Sequence, residues 1–305
     1  MMGTPAILVT GAAGLVGNAV RQRLERDGRT VVPIDRMEQT REGLPLIACD
    51  LNDIHRLHAI ANAHQIDGII HCGAHSGPMV ARDNPYSMVQ VNIVGTANML
   101  EIARIHKVRR MLFCSSTSAY GNTPDGPVPE DVPLWPTSVY GGSKVASEQL
   151  VWTYWRQFGV DALALRLSWV YGPGRTTDCV IRTMIEDALA KRPTRMPFGR
   201  DFHRQFIHVE DAVSALLLAL DAAVPPRRIY TVTGDTYVTL GDIGEIVKRV
   251  LPDADIALES GPDPVDEVHR RFDISAAKRD LGYAPQFDLE SGIQSYADWI
   301  IARNA

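Results

Sequence analysis

Short apolar runs alternate with amphipathic stretches along the first half of the chain. Residues 6–10 form an apolar run rich in β-branched side chains, and Val16, Val20 and Leu24 then recur at helical spacing. The same alternation predicts further strands near residues 30–35, 46–50, 68–74, 111–116 and 162–168, and helices over 53–65, 86–106 and 138–159. Strands that alternate with helices predict an α/β fold with a Rossmann-type, doubly wound parallel sheet.

The alternation weakens beyond residue 172. Helices are predicted over residues 178–191, 210–222, 240–250, 275–281 and 289–303, with short apolar segments at 206–209 and 229–233. We therefore predict a Rossmann domain of residues 1–172, completed by 206–234, and a smaller, interleaved C-terminal domain of residues 173–205 and 235–305.

Composition narrows the class of protein. The 305 residues are 45% hydrophobic and carry a net charge of -5 with no long run of one sign, so neither a nucleic-acid nor a membrane partner is predicted. The longest apolar run is too short to span a bilayer, and we read no signal peptide. Four cysteines without a C-x-x-C pair favour a cytoplasmic location, and the scattered histidines predict no metal site.

A glycine-rich turn separates the first strand from the first helix. Gly11, Gly14 and Gly17 have the spacing G-x-x-G-x-x-G, and Leu15 and Val16 open the helix. Glycine lets the backbone approach a pyrophosphate, while the helix N-terminus supplies amide donors. This order of elements predicts a dinucleotide phosphate site.

The second predicted strand ends in Asp35, followed by Arg36. A carboxylate in that place accepts hydrogen bonds from the ribose of NAD and repels the 2'-phosphate of NADP, although Arg36 could soften this preference. We therefore predict NAD as the cofactor. Further contacts to it are expected at the carboxyl ends of the third and fourth strands, at Asp50, Leu51, Cys72, Gly73 and Ala74.

Residues 138–144, Ser-Val-Tyr-Gly-Gly-Ser-Lys, place Tyr140 and Lys144 one turn apart at the start of a helix. A cation beside a phenol favours the phenolate, which can take a proton from an alcohol. The alternative is a pair of surface residues at helical spacing.

With these residues assembled, the chain resembles the extended short-chain dehydrogenase/reductases, in particular the NAD-dependent epimerase/dehydratase group that includes the UDP-glucose 4-epimerases. The resemblance also covers Asn92 with Gly95-Thr96, Ser115-Ser116 before Ala119-Tyr120-Gly121, Val170-Tyr-Gly-Pro173, Arg204-Gln-Phe-Ile-His-Val209 and Leu281-Gly-Tyr-x-Pro285. It implies that Tyr140 is the base, that Lys144 supports it and holds the nicotinamide ribose, and that Ser116 binds the reacting oxygen. Asn92 joins the predicted cofactor site, and the helices over 86–106 and 138–159 imply a homodimer.

The neighbours of Ser116 discriminate among the reactions of this group. Thr117 and Ser118 stand where its sugar dehydratases carry an Asp-Glu pair, so a dehydratase is disfavoured. Arg204 matches a position that contacts the substrate diphosphate, and Thr117 is assigned with it to the substrate site. These residues favour a nucleoside-diphosphate-sugar epimerase, and the intact Tyr140 argues against a non-catalytic NAD-binding protein.

Two features of the chain differ from the usual pattern of this group and leave a second reaction possible. Trp169 replaces the asparagine usual before Val-Tyr-Gly-Pro, and the polar His75 and Ser76 could bind a small hydroxylated substrate directly. These residues fit an NAD-dependent dehydrogenase of a free sugar, sugar acid or small hydroxy acid.

Overall fold

A computed structural model describes residues 4–264 and 266–304. The strands are β1 (Ala6–Thr10), β2 (Thr30–Asp35), β3 (Ile47–Ala48), β4 (Ile66–His71), β5 (Arg110–Ser116), β6 (Ala162–Leu167), β7 (Trp169–Tyr171), β8 (Thr194–Met196), β9 (His203–Arg204), β10 (Phe206–His208), β11 (Ile229–Val232), β12 (Val238–Thr239) and β13 (Ile256–Leu258). The helices are α1 (Leu15–Arg26), α2 (Ile54–Ala63), α3 (Pro85–Met88), α4 (Gly95–Ile105), α5 (Val139–Phe158), α6 (Val180–Leu189), α7 (Val209–Asp221), α8 (Leu240–Val250), α9 (Ser275–Leu281) and α10 (Leu289–Asn304).

Seven strands form a parallel central sheet in the order β11-β6-β5-β4-β1-β2-β3. This confirms the predicted fold class, and the apolar segment after residue 228 does join the sheet, as its edge strand β11. The order of the strands reverses between β1 and β4, which lie side by side. In open sheets of this kind ligands bind at such a switch point, at the carboxyl ends of the strands.

The central sheet is buried because it carries apolar side chains on both of its faces, and helices cover each face. β1 is a continuous apolar run with every residue buried, as expected for a strand covered on both sides. Helices α1 and α7 cover one face through a cluster that includes Val20 and Leu216, and α2, α4 and α5 cover the other through one that includes Leu57 and Met99. None of the helices within residues 4–264 and 266–304 has the length and apolar character needed to cross a membrane.

A further apolar cluster gathers α6, α8 and α10 at the end of the chain. Ile185, Val247 and Ile293 are fully buried in it, together with Tyr171 from β7. The short paired strands β7 with β10, β8 with β13 and β9 with β12 border this cluster. Helix α8, whose apolar stripe packs into this cluster, begins after a capping box. In this box the side chains of Thr239 and Asp242 each accept a hydrogen bond from the backbone amide of the other residue.

The helix predicted over residues 86–106 is interrupted. Between α3 and α4 the backbone forms a π-helical segment, Val89–Val94, which contains the buried Asn92. A π-helical turn displaces the side chains from the positions of a regular helix and is often found at functional sites. Sequence periodicity predicts the helix and carries no signal for this local widening.

Candidate active site

A cavity of about 780 Å³ opens at the carboxyl ends of β1, β2, β4, β5 and β6. Residues from the glycine turn, the strand ends and the first turn of α5 line it. Nineteen of the predicted site residues are among them: Gly11, Gly14, Leu15, Val16, Gly17, Asp35, Arg36, Asp50, Leu51, Cys72, Gly73, Ala74, His75, Ser76, Ser116, Thr117, Tyr140, Lys144 and Trp169. Parallel strands end at one edge of the sheet, so residues more than a hundred positions apart meet in one cavity.

The glycine turn has the shape that a dinucleotide phosphate requires. Gly11 has a φ of +66°, and a Cβ on it would lie 2.7 Å from the backbone nitrogen of Gly73. A Cβ on Gly17 would overlap with the carbonyl oxygen of Gly11. Gly14 caps α1 without a side-chain hydrogen bond, so the first amides of the helix have no side-chain acceptor at that cap. These features fit a pyrophosphate at the N-terminus of α1.

Tyr140 and Lys144 occupy consecutive turns of α5, on a side that is buried. Ser138 caps the helix by accepting a hydrogen bond from the amide of Gly141 at 3.1 Å, which fixes where the first turn begins. The Nζ atom of Lys144 donates to the carbonyl of Cys114 at 2.8 Å and lies 5.5 Å from the centre of the Tyr140 ring. Lys144 has no carboxylate partner among the described residues, so its positive charge acts on Tyr140 and on any ligand beside it.

Ser116 ends β5, at the start of a 3-10 turn, Thr117–Ala119. Its Oγ accepts a hydrogen bond from the amide of Ser118 at 3.1 Å and donates to the Ser118 hydroxyl at 3.3 Å. This local ring of hydrogen bonds holds the hydroxyl at the rim of the cavity, where Thr117 and Ser118 also lie.

Asn92, predicted to touch the cofactor, does not line the cavity. Its side-chain oxygen accepts from the His75 amide at 2.8 Å, and its Nδ2 donates to the His75 carbonyl at 3.1 Å and to Ser143 Oγ at 3.0 Å. The structure thus gives Asn92 a supporting role behind the cavity wall. His75 itself lines the cavity, and its Nε2 lies 2.9 Å from the hydroxyl of Ser87.

Arg204, predicted to contact a substrate diphosphate, also lies outside the cavity lining. Its guanidinium pairs with Asp263 and Asp266, each at 2.8 Å, and stacks 4.4 Å from the centre of the Trp169 ring. The indole nitrogen of Trp169 donates to Asp266 at 3.1 Å. Two carboxylates therefore compensate the charge of Arg204, and the arginine braces the tryptophan that forms the cavity wall. Pairs of residues so far apart in the chain leave no local sequence signal.

Residues 7–233 match the NAD dependent epimerase/dehydratase family. The chain belongs to this family. It is 29% identical over 329 residues to UDP-glucuronate 4-epimerase 4 of Arabidopsis thaliana, covering 97% of this chain and 75% of that protein.

Two solved epimerase structures show the same fold as this family member. The UDP-glucose 4-epimerase of Thermotoga maritima with UDP-glucose superposes with a TM-score of 0.90 at 23% identity, covering 98% of this chain and 100% of that one. The UDP-glucose 4-epimerase of Thermus thermophilus in complex with NAD gives a TM-score of 0.86 at 25% identity, covering 97% and 99%. The family resemblance predicted from the motifs is confirmed, and so is NAD as the cofactor of the family.

His71, at the end of β4, makes a buried contact that sequence reasoning missed. Its ring nitrogens lie 2.7 Å from the Thr10 hydroxyl and 3.2 Å from the Thr96 hydroxyl. Burial, and secondly the charge of Lys144, lower the pKa of His71 to about 3. The ring is therefore neutral at physiological pH and adds no second positive charge beside Lys144.

Several polar cavity residues were also missed. Thr40 and Arg41 reach the cavity from a loop after β2, while Ser168 and Thr177 line it beyond β6. Arg175, which the sequence offers as a further arginine for a substrate diphosphate, also lines the cavity. Within the described residues, no three His, Cys, Asp or Glu side chains are arranged to hold a metal ion.

Proposed function

We propose that this family member is an NAD-dependent epimerase that inverts a carbinol of a nucleoside-diphosphate sugar. One observation carries the proposal: Ser116, Tyr140 and Lys144 line the same cavity as the glycine turn that suits a dinucleotide. Similarity over nearly the whole chain to a UDP-glucuronate 4-epimerase supports the reaction and the nucleotide sugar.

In this proposal each residue acts on the substrate alcohol. Tyr140 takes the proton of the reacting hydroxyl and later returns it, and Lys144 stabilises the phenolate between these steps. Ser116 hydrogen-bonds the substrate oxygen, since its hydroxyl can donate to a ketone and accept from an alcohol. NAD held in the cavity would supply a reversible hydride acceptor for the carbinol carbon, and hydride returned to the opposite face of the resulting ketone would give the epimer with no net change of the cofactor.

A second candidate is an NAD-dependent dehydrogenase of a free sugar, sugar acid or small hydroxy acid. It is favoured by Arg204, whose guanidinium already bonds to Asp263 and Asp266 and so has less capacity for a diphosphate. The polar His75 and Ser76 line the cavity and suit a hydroxylated ligand without a nucleotide. The same three residues would perform the proton transfer in either reaction.

The test incubates the purified protein with NAD and, in separate samples, UDP-glucose, UDP-glucuronic acid, free aldoses and free uronic acids. Absorbance at the NADH band and proton NMR of the sugar are followed together. A new sugar isomer without net NADH supports the epimerase, and stoichiometric NADH with an oxidised sugar supports the dehydrogenase. Tyr140→Phe should bind NAD as the parent does and lose turnover; undiminished turnover would rule out Tyr140 as the base.

The proposed function also assigns a role to each of the two predicted domains. We propose that residues 1–172 and 206–234 bind the cofactor and that 173–205 and 235–305 bind the substrate. The separate apolar cluster of α6, α8 and α10 supports this division.

We also propose a homodimer, formed through the neighbouring helices α4 and α5. It is supported by the exposed apolar side chains of Ile105, Trp152 and Phe158 on these helices. A cytoplasmic location is proposed because all four cysteines are free thiols, the state that a reducing compartment maintains.

A further inference from the structure

Two thiols lie side by side where the cavity meets the central sheet. Cys72 directly follows β4, Cys114 belongs to β5, and their Sγ atoms are 3.4 Å apart. Both residues are free thiols, and both line the cavity, so a small molecule that enters the cavity reaches them. Two thiols in contact can be joined by oxidation to a disulfide, provided that the backbone allows the bond.

The pairing of the two strands allows this bond. β4 and β5 are parallel neighbours in which His71 lies opposite Phe113. The next residue in each segment is a cysteine, so Cys72 and Cys114 lie opposite each other as well. Residues paired across neighbouring strands are about 4.8 Å apart, which falls within the range of roughly 4.4–6.8 Å that separates the Cα atoms of a disulfide. Because the sulfurs are already in contact, a disulfide needs rotation of the two side chains and little movement of the backbone.

The other two cysteines are placed differently. Cys49 donates its thiol proton to the carbonyl of Asp50 at 3.4 Å, and Cys179 is buried in the apolar cluster of α6, α8 and α10. In residues 4–264 and 266–304, which contain all four cysteines, the sulfur–sulfur contact joins Cys72 to Cys114. Cys49 and Cys179 therefore serve as internal controls for general thiol oxidation.

Hydrogen peroxide or an organic hydroperoxide supplies the oxidising equivalents. One sulfur attacks a peroxide oxygen, which breaks the O–O bond, forms a sulfenic acid and releases water or an alcohol. The second sulfur attacks the sulfenic sulfur, which forms the S–S bond and releases water, so the two thiols together lose two electrons and two protons. The hydrogen bond with Cys114 and burial raise the pKa of Cys72 well above its usual value, and the charge of Lys144 offsets this only in part. Both sulfurs are attacked slowly as thiols, so the reaction is slow at neutral pH.

We propose that Cys72 and Cys114 form a reversible disulfide when a peroxide enters the cavity, and that a bound dinucleotide prevents this reaction. Cys72 adjoins Gly73, which packs against the glycine turn at Gly11. The carbonyl of Cys114 accepts a hydrogen bond from Lys144 at 2.8 Å, on the side of the cavity that holds the proposed base. A dinucleotide that reaches from the glycine turn to Lys144 therefore covers both sulfurs. Only this protection rests on the proposed function; the formation of the disulfide does not.

The test treats the purified, reduced protein, freed of bound cofactor, with hydrogen peroxide and follows it by intact mass and by mapping of proteolytic peptides. The parent should lose two hydrogens per chain, yield a peptide that joins Cys72 to Cys114, and regain its mass with dithiothreitol. Cys49→Ala/Cys179→Ala should give the same joined peptide, whereas Cys114→Ser should give none. NAD at about ten times its Kd should slow the formation of the disulfide about tenfold, because about one molecule in eleven is then without ligand.

The disulfide and its protection by the dinucleotide are judged separately. An unchanged mass, oxidation of Cys72 or Cys114 to a sulfinic acid without a joined peptide, or a disulfide to Cys49 or Cys179 overturns the pairing and leaves the proposed function intact. A disulfide that forms equally fast with NAD, in protein whose NAD binding is measured by calorimetry, overturns the protection alone. Protein that binds no NAD overturns the protection together with the proposed function.

Discussion

The ion pair between Glu148 and Arg166 lies beneath the active site and allows a quantitative prediction. The two side chains are 0% and 2% exposed, and the guanidinium bonds to Oε1 at 2.9 Å and to Oε2 at 2.7 Å. Ser115, adjacent to Ser116, donates to the same carboxylate at 2.5 Å. We expect Glu148→Gln, which keeps the shape and one acceptor oxygen, to destabilise the protein strongly.

The expected cost follows from what remains around Arg166. Its buried charge would retain the Glu130 carbonyl at 2.9 Å and the Tyr120 ring, whose centre is 4.5 Å away, and no carboxylate of the described residues would remain in an ion pair with it. Breaking one side of a buried pair costs about 3–5 kcal/mol, and the retained amide oxygen places Glu148→Gln near the lower end. For 305 residues, about 3 kcal/mol lowers Tm by about 5 °C.

Urea unfolding followed by circular dichroism, with scanning calorimetry beside it, measures this loss. The matched control is Glu148→Gln/Arg166→Met, which removes the uncompensated charge and should be less destabilised than the sum of its two single variants. Additive costs in this cycle, or a loss below about 1 kcal/mol in Glu148→Gln, would refute the reasoning from charge burial.

Three further predictions concern the site and its support. Lys144→Met should lower turnover at least a hundredfold in the epimerase and dehydrogenase assays, since it removes the ammonium beside Tyr140; activity within about threefold of the parent would contradict this. The lowered pKa of His71, about 3, means that the unfolded chain takes up a proton below about pH 6.5 while the folded one does not. Folding stability should therefore fall as the pH drops from about 6.5 toward 3, and His71→Asn should show a slope shallower by up to about 1.4 kcal/mol per pH unit in urea titrations; parallel slopes would contradict the burial argument. Trp152→Glu should convert the proposed homodimer to a monomer in light scattering, whereas an unchanged mass would remove α5 from the proposed interface.

The local features of the cofactor site could be predicted from the chain in order. The glycines at 11, 14 and 17 follow a buried strand and lie at the start of a helix, an order that is typical of a turn closely approached by a dinucleotide phosphate. Tyr140 and Lys144 are one turn apart on a helix wherever that helix lies. Because parallel strands end at one edge, their convergence with Ser116 also followed from the order of elements.

Features that depend on partners distant in the chain needed the folded structure. Arg204 was assigned to a substrate diphosphate because it matches a position with that role in the family that the chain resembles. Asp263 and Asp266, which compensate its charge, come from another segment. Asn92 leaves the cavity because a π-helical turn and two contacts to His75 draw it behind the wall. Periodicity and motif spacing encode the direction of a side chain within its own element, whereas charge compensation and exposure depend on which elements pack together.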